Sequence, residues 1–330
     1  MLHSLLMTVS LASAMPASGE APTMRPIPPV TSAADAAEER VAIPFNPPLG
    51  QPIVYRHRKA TTRSGQEMSV WMDYRYTFSR DGDGFLMLVE PIDFGVDVPR
   101  LPTAEARQAF RRMLDRALLP FTVRLSADAI IDHLIDAEAV WERVVDRSME
   151  LVAQTERESD SEALAFARQT MLDLPTVSRL TLLMQQTSPI LELAATDFSR
   201  EQPDAVAFTF DAPFGGTIEQ QATVTITDVR ADTVFYEIAA SVPGEQMLAQ
   251  ISNFIERVPL NGRGQNTPEG RAQALREFRD AEMRMEAESR YEVDRTTGLS
   301  RRYTVEQRVS IRSGSNNVVQ RQTLSGERRN

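Results

Sequence analysis

Histidine, serine and paired carboxylates are the groups from which this chain could build acid–base or nucleophilic chemistry, because it contains no cysteine. Two histidines lie in the body of the chain, His57 and His133, and a Ser-His-Asp arrangement needs only one. No Gly-x-Ser-x-Gly elbow accompanies them. His57 stands among Arg56, Arg58, Lys59 and Arg63 in an extended stretch, which reads as a solvated basic edge. His133 lies beside Asp132 and near Asp136 without the His-Glu-x-x-His spacing that places two imidazoles on one helix face. A glycosidase needs two carboxyl groups at a defined separation, and Glu90, Asp93 and Asp97 near one strand end are candidates. With 46 acidic residues in the chain, such a grouping has little weight.

Two further motifs begin well and fail. Asp81-Gly82-Asp83-Gly84 starts like a calcium loop, but Phe85, Val89 and Ile92 occupy positions that must supply oxygen, so it reads as a hairpin turn. Gly262-Arg263-Gly264 lacks the third glycine of a dinucleotide fingerprint, and Lys59 follows no glycine-rich run. The sequence therefore predicts no metal and no cofactor. Without cysteine there are also no disulfides and no lipid-modified N-terminal cysteine.

A net charge of −10 with no strongly basic stretch argues against nucleic acid as a partner. Lys59 is the only lysine beside many arginines, a usage bias that warns against reading each arginine as a phosphate ligand. Past the N-terminus, no segment approaches the roughly 18 apolar residues that a transmembrane helix requires, so no span is expected in the mature chain.

The elements that must position any site follow from periodicity. Leu5 to Ala14 is an uncharged apolar run ending in Ala12-Ser13-Ala14, which predicts a cleaved export signal over 1–14 and a periplasmic or secreted location. Residues 15–52 are rich in proline and read as a disordered leader. A single α+β domain is expected over 53–330, with strands in 53–98, mainly helix in 103–187 and strands again in 205–330. Met68, Val70, Met72, Tyr74, Tyr76 and Phe78 share one side of a period of two, and Phe85 to Val89 returns after the turn. Thr103 to Ala117 and the stripe Val140, Trp141, Val144 and Val145 read as helices. Met283, Met285, Ala287, Ser289, Tyr291 and Val293 alternate with charged residues, so strand is favoured over a charged helix there. The fold class expected is a curved antiparallel sheet of about nine or ten strands, a half-barrel in form, packed against a central group of helices. Charged residues on the solvent side of its strands argue against an outer-membrane barrel.

Function follows only as an expectation. One apolar strand face and several amphipathic helices could enclose an apolar cavity, lined by Met72, Tyr74, Tyr76, Met87, Trp141, Met283, Met285 and Tyr291. Periplasmic carriers of lipids and lipoproteins use half-barrels, an analogy of architecture alone. The protein is thus expected to be a non-enzymatic, exported binder of a lipid, another apolar ligand or an envelope component. The alternatives are an envelope assembly protein recognised by an exposed sheet edge, and a hydrolase with a dispersed carboxylate or serine site whose cleft holds titratable groups with displaced pKa values.

Overall fold

The computed structural model describes residues 25–26, 39–63, 66–97, 119–155, 161–211, 217–257, 269–270, 272, 275–276, 282–313 and 316–329. The export signal and the helix predicted over 103–117 lie outside these residues. In chain order the strands are β1 (Arg25–Pro26), β2 (Arg40–Ile43), β3 (Ile53–Arg63), β4 (Gln66–Asp81), β5 (Gly84–Asp97), β6 (Phe121–Leu125) and β7 (Ile131–Leu134). Helices α1 (Ala137–Thr155), α2 (Ser161–Leu172), α3 (Thr176–Met184) and α4 (Ser188–Leu191) follow. Then come β8 (Thr196–Ser199), β9 (Asp204–Asp211), β10 (Thr217–Val229), β11 (Thr233–Val242), helix α5 (Gly244–Arg257), β12 (Glu282–Asp294), β13 (Ser300–Ser313) and β14 (Asn316–Arg329).

Twelve of these strands form one antiparallel sheet in the order β1-β9-β10-β11-β12-β13-β14-β3-β4-β5-β6-β7. The sheet is not closed into a barrel. Its strands form because apolar residues recur at a period of two, which sends alternate side chains to opposite faces. In β12, Met283, Met285, Ala287, Ser289 and Tyr291 are buried, whereas Glu282, Arg284, Glu288 and Arg290 are exposed. The strand reading of this charged segment is the one that the structure adopts. On the outer face, charges pair across strands, as Arg290 does with Glu237 at 3.1 Å and Arg56 with Asp73 at 2.7 Å.

Two expectations need correction. Helix has a smaller part than the sequence predicts: the fold is β-rich. Helices α1 and α2 hold mainly each other, through the Trp141 indole donating to the Met171 carbonyl at 2.8 Å and an Arg168–Asp146 ion pair at 2.8 Å. The helices meet the sheet chiefly where α4 touches β13 and α5 touches β12. The second correction concerns the leader. Residues 39–52 belong to the fold: β2 pairs with β8 and buries Val41 and Ile43. Phe45 packs edge-on against Phe85, with ring centroids 4.9 Å apart. The proline-rich stretch here has no ladder of its own to make, so it runs as a strap fixed by isolated bonds, Asn46 N–H to the Thr297 carbonyl at 3.0 Å and Gly50 N–H to the Phe78 carbonyl at 2.8 Å.

The strap rests on the tight turn between β12 and β13. Asp294 caps that turn, accepting from the Thr296 and Thr297 amides at 2.9 and 3.1 Å. Arg301 donates to the same carboxylate at 2.8 Å. Burial works against the charged carboxyl, but Arg301 and the two amides outweigh it and hold its pKa below the usual value. Gly298 closes the turn at φ 76°, and the place a Cβ would take is filled by the Pro44 carbonyl.

Candidate functional site

The inward phase of β3 is set by Ile53 and Tyr55, both buried. Two residues on, His57 must point the same way, and it is 1% exposed. The solvated basic edge expected for His57 is therefore wrong for that residue and right for Arg56 and Arg58, which take the opposite face. His57 lies across from Met72 on β4 and Gly326 on β14. Gly326 has a specific function here: a side chain in its place would overlap the Tyr303 ring, which crosses β14 to reach His57.

The hydrogen bonds around His57 form a chain with one consistent direction. Tyr303 donates its hydroxyl proton to the Gln186 carbonyl at 3.0 Å. It must then accept from His57 Nδ1, which lies 2.5 Å from its oxygen. Nε2 is left as the acceptor for Tyr76, whose hydroxyl is 2.9 Å away. Tyr76 in turn accepts from Thr187 at 3.2 Å. This assigns the neutral Nδ1–H tautomer. Burial pushes the His57 pKa down to about 3, with Asp73 opposing weakly. Tyr76 and Tyr303 are driven well above their ordinary value, again by burial first.

Around this chain stand further groups from distant segments. Tyr55 donates to the Ser300 carbonyl at 2.7 Å, and Ser300 donates to the Pro189 carbonyl at 3.0 Å. Tyr291 stacks on Tyr303 with centroids 6.3 Å apart and gives its hydroxyl proton to Glu192, just past α4. Burial raises the Glu192 carboxyl, and the Tyr291 bond partly offsets that. The arrangement clamps the 184–192 segment onto β3, β4, β12 and β13. Tyr291→Phe is expected to remove the hydroxyl donor to Glu192 and to cost about 1–3 kcal/mol. A denaturant double-mutant cycle with Glu192→Leu checks this: the two losses should be strongly non-additive, and simple additivity would refute the pairing.

Of the residues expected to line a cavity, the structure gathers Met72, Tyr74, Tyr76 and Tyr291 in or beside this cluster. Met87 lies towards the strap end, paired with Phe78 and Val123. Met283 and Met285 lie further along β12, on the side where α5 meets the sheet. Trp141 faces α2 and joins none of these groups. His133 is exposed and bonded to Asp132 at 3.0 Å. Glu90 lies 3.9 Å from Arg75 in a cross-strand pair on β4 and β5. Sequence reasoning assigned none of Tyr55, Tyr303, Glu192 and Lys59 to a site, although residues 53, 55, 57 and 59 share one parity in β3.

Chemically, the cluster has titratable groups with displaced pKa values, as the hydrolase reading required. Yet no carboxylate bonds to His57, both its nitrogens are occupied by tyrosine hydroxyls, and burial is the leading cause of the shifts. It is built as a closed clamp. Among the described residues, no group of three or more histidine or acidic side chains is arranged to hold a metal.

No protein-family model matches the chain, and no curated protein matches it. Among solved structures it aligns with the crystal structure of Pseudomonas aeruginosa OccK2 (OpdF), at 8% identity over 84% of this chain and 66% of that one. The chain thus spans just under two thirds of that protein. The TM-score of 0.16 is too low for the likeness to carry an argument.

Proposed function

We propose that the protein is an exported, non-enzymatic component of the cell envelope that holds an apolar ligand or envelope component between its sheet and helices. In this reading the strap and residues 53–330 act as one domain, the sheet curls into a half-barrel and the inner face is the binding surface. The observation that carries it is the one-sidedness of the sheet. Residues from β6, such as Leu125, and from β9, such as Val206, belong to one continuous apolar cluster. Twelve strands laid flat would span roughly 50 Å, so curling is the economical way to give so wide an apolar face a common interior. The charged outer face supports the same orientation.

One observation weighs against the hydrolase alternative. Hydrolysis needs an approachable base, and His57 is sealed beneath Thr187 and two tyrosines. Among the described residues, no helix is long and apolar enough to cross a membrane.

The test is native mass spectrometry of protein purified from its own envelope without detergent, followed by organic extraction. A co-purifying apolar molecule is expected, and it should be lost from the triple variant Met72→Ala, Met283→Ala, Met285→Ala while the fold is retained. A mass equal to the bare chain in every preparation would overturn the reading.

A further inference from the structure

Because neighbouring strands are in register, inward side chains fall into rows across the sheet. The clamp occupies one row, in which Tyr236, Tyr291, Tyr303, Gly326 and His57 are successive partners. The next row runs from Ile238 through Ser289, Val305 and Leu324 to Lys59. The row beyond it is unlike either. Ala222, Ala240 and Ala287 face one another on β10, β11 and β12, and Gln307 continues the row on β13. All four are buried, and three of them are alanines, so small side chains line this stretch of the inner face. Beside this band Gln220 is 1% exposed, and its amide nitrogen has no partner. An unmade bond on a buried donor costs about 1–3 kcal/mol, which a bound acceptor would recover.

Lys59 lies between the clamp and this band. Its ammonium donates to Gln185 Oε1 at 3.5 Å, a long bond, and among the described residues no carboxylate lies within 4 Å of it. The neighbouring Gln186 has a side-chain oxygen that is buried and unpaired. Amide oxygen and nitrogen are interchangeable by a flip, so Gln186 can offer that ammonium's partner either a donor or an acceptor. Burial depresses the pKa of Lys59, as expected for a half-buried cation with no opposite charge beside it. Everywhere else the chain uses arginine, and many of its arginines, Arg56, Arg290 and Arg301 among them, are paired with acids. The one lysine is half-buried and, among the described residues, has no acid partner.

We infer that the ligand is a single acyl chain with an acidic headgroup, the head seated on Lys59 beneath the 184–192 segment and the chain lying over the alanine band towards Met283 and Met285. This rests on the carrier reading above and adds the charge of the ligand and its direction. In this arrangement Lys59 marks the headgroup end and Met283 and Met285 mark the tail end. The chain then meets side chains that are apolar or small, and the headgroup supplies the negative charge that Lys59 lacks.

The test is fluorescence titration of the full chain with cis-parinaric acid and with its methyl ester, which share one tail and differ in the charge. At neutral pH the acid is expected to bind at least about tenfold more tightly, the scale of one charge-assisted hydrogen bond. Lys59→Met is expected to bring the acid to the ester's affinity and leave the ester within about twofold of wild type. Lys59→Arg is expected to keep the preference. Equal binding of acid and ester to the wild-type chain overturns the inference while leaving the carrier reading intact, and so does a preference that survives in Lys59→Met. Binding of neither probe overturns both. The wild-type comparison needs no variant and decides by itself if Lys59→Met does not fold.

Discussion

Acidification from pH 6.5 towards pH 3 is expected to remove about 5 kcal/mol of folding stability through His57 alone. In the unfolded chain the imidazole binds a proton below its ordinary pKa of 6.5, whereas in the fold burial drives that value down to about 3. Between the two, the unfolded chain holds more protons than the folded one, so stability rises with pH across the window. The contribution is complete above the unfolded value and is lost as pH falls towards the folded one. The slope should approach about 1.4 kcal/mol per pH unit, on the scale of total stability for many domains. Asp294 adds to the loss lower down, because its folded pKa is depressed as well. Glu192 acts in the opposite sense, since its raised pKa makes the folded state hold its proton more firmly as pH falls. Urea midpoints of the wild type and of His57→Gln at several pH values separate these effects. The variant starts from lower stability but should show a much flatter profile between about pH 6.5 and 4.5. Parallel profiles would remove His57 from the account.

Gly298→Ala is expected to cost at least about 3 kcal/mol, although it adds a single methyl group. Two costs coincide at that residue. Its φ of 76° is unfavourable for any residue with a Cβ, and the added carbon would overlap the Pro44 carbonyl. The neighbour is backbone, so no rotamer change relieves the overlap. Either the turn distorts and loses the Asp294 cap, or the strap lifts away. Limited proteolysis distinguishes the two: new cleavage within 39–52 with the rest intact means the strap has lifted. A thermal midpoint within a degree or two of wild type would show that the contact is not made.

The long strands were legible because their alternation runs for ten or more residues, long enough for β4 and β12 to stand out even where Ala, Glu, Arg and Met favour helix. β2 and β8 were not. Four residues carry too little periodicity, and their pairing joins Val41 to Phe198 across nearly half of the chain. The leader's proline content reads as disorder, yet proline also suits a strap that has few amide bonds to make. The site was half visible. Tyr74, Tyr76 and Tyr291 announce themselves as inward residues, and the parity that makes them inward applies equally to His57. Its charged neighbours Arg56, Arg58 and Lys59 obscured that. Glu192, Thr187 and the Gln186 carbonyl come from short helical turns whose positions over the sheet depend on bonds to Tyr291, Tyr76 and Tyr303, which no local pattern encodes.

The pairing of β14 with β3 has a consequence for the order of assembly. Apart from the short β1–β9 pairing, the sheet runs on either side of that junction through strands that follow one another in the chain. The junction itself joins Arg328 to Tyr55 and Gly326 to His57, so it cannot exist until the last of the strands has been delivered. Until then β3 presents eleven residues of unpaired backbone on one side, with its tyrosines and histidine beside it. A chain emerging N-terminus first, from a ribosome or through a membrane pore, therefore passes through a state with a long sticky edge in its middle. Such an edge invites pairing with another copy, and long-range closure is the slow step in sheet folding. Loss of β14 would make that transient state permanent, turning a single sheet into two.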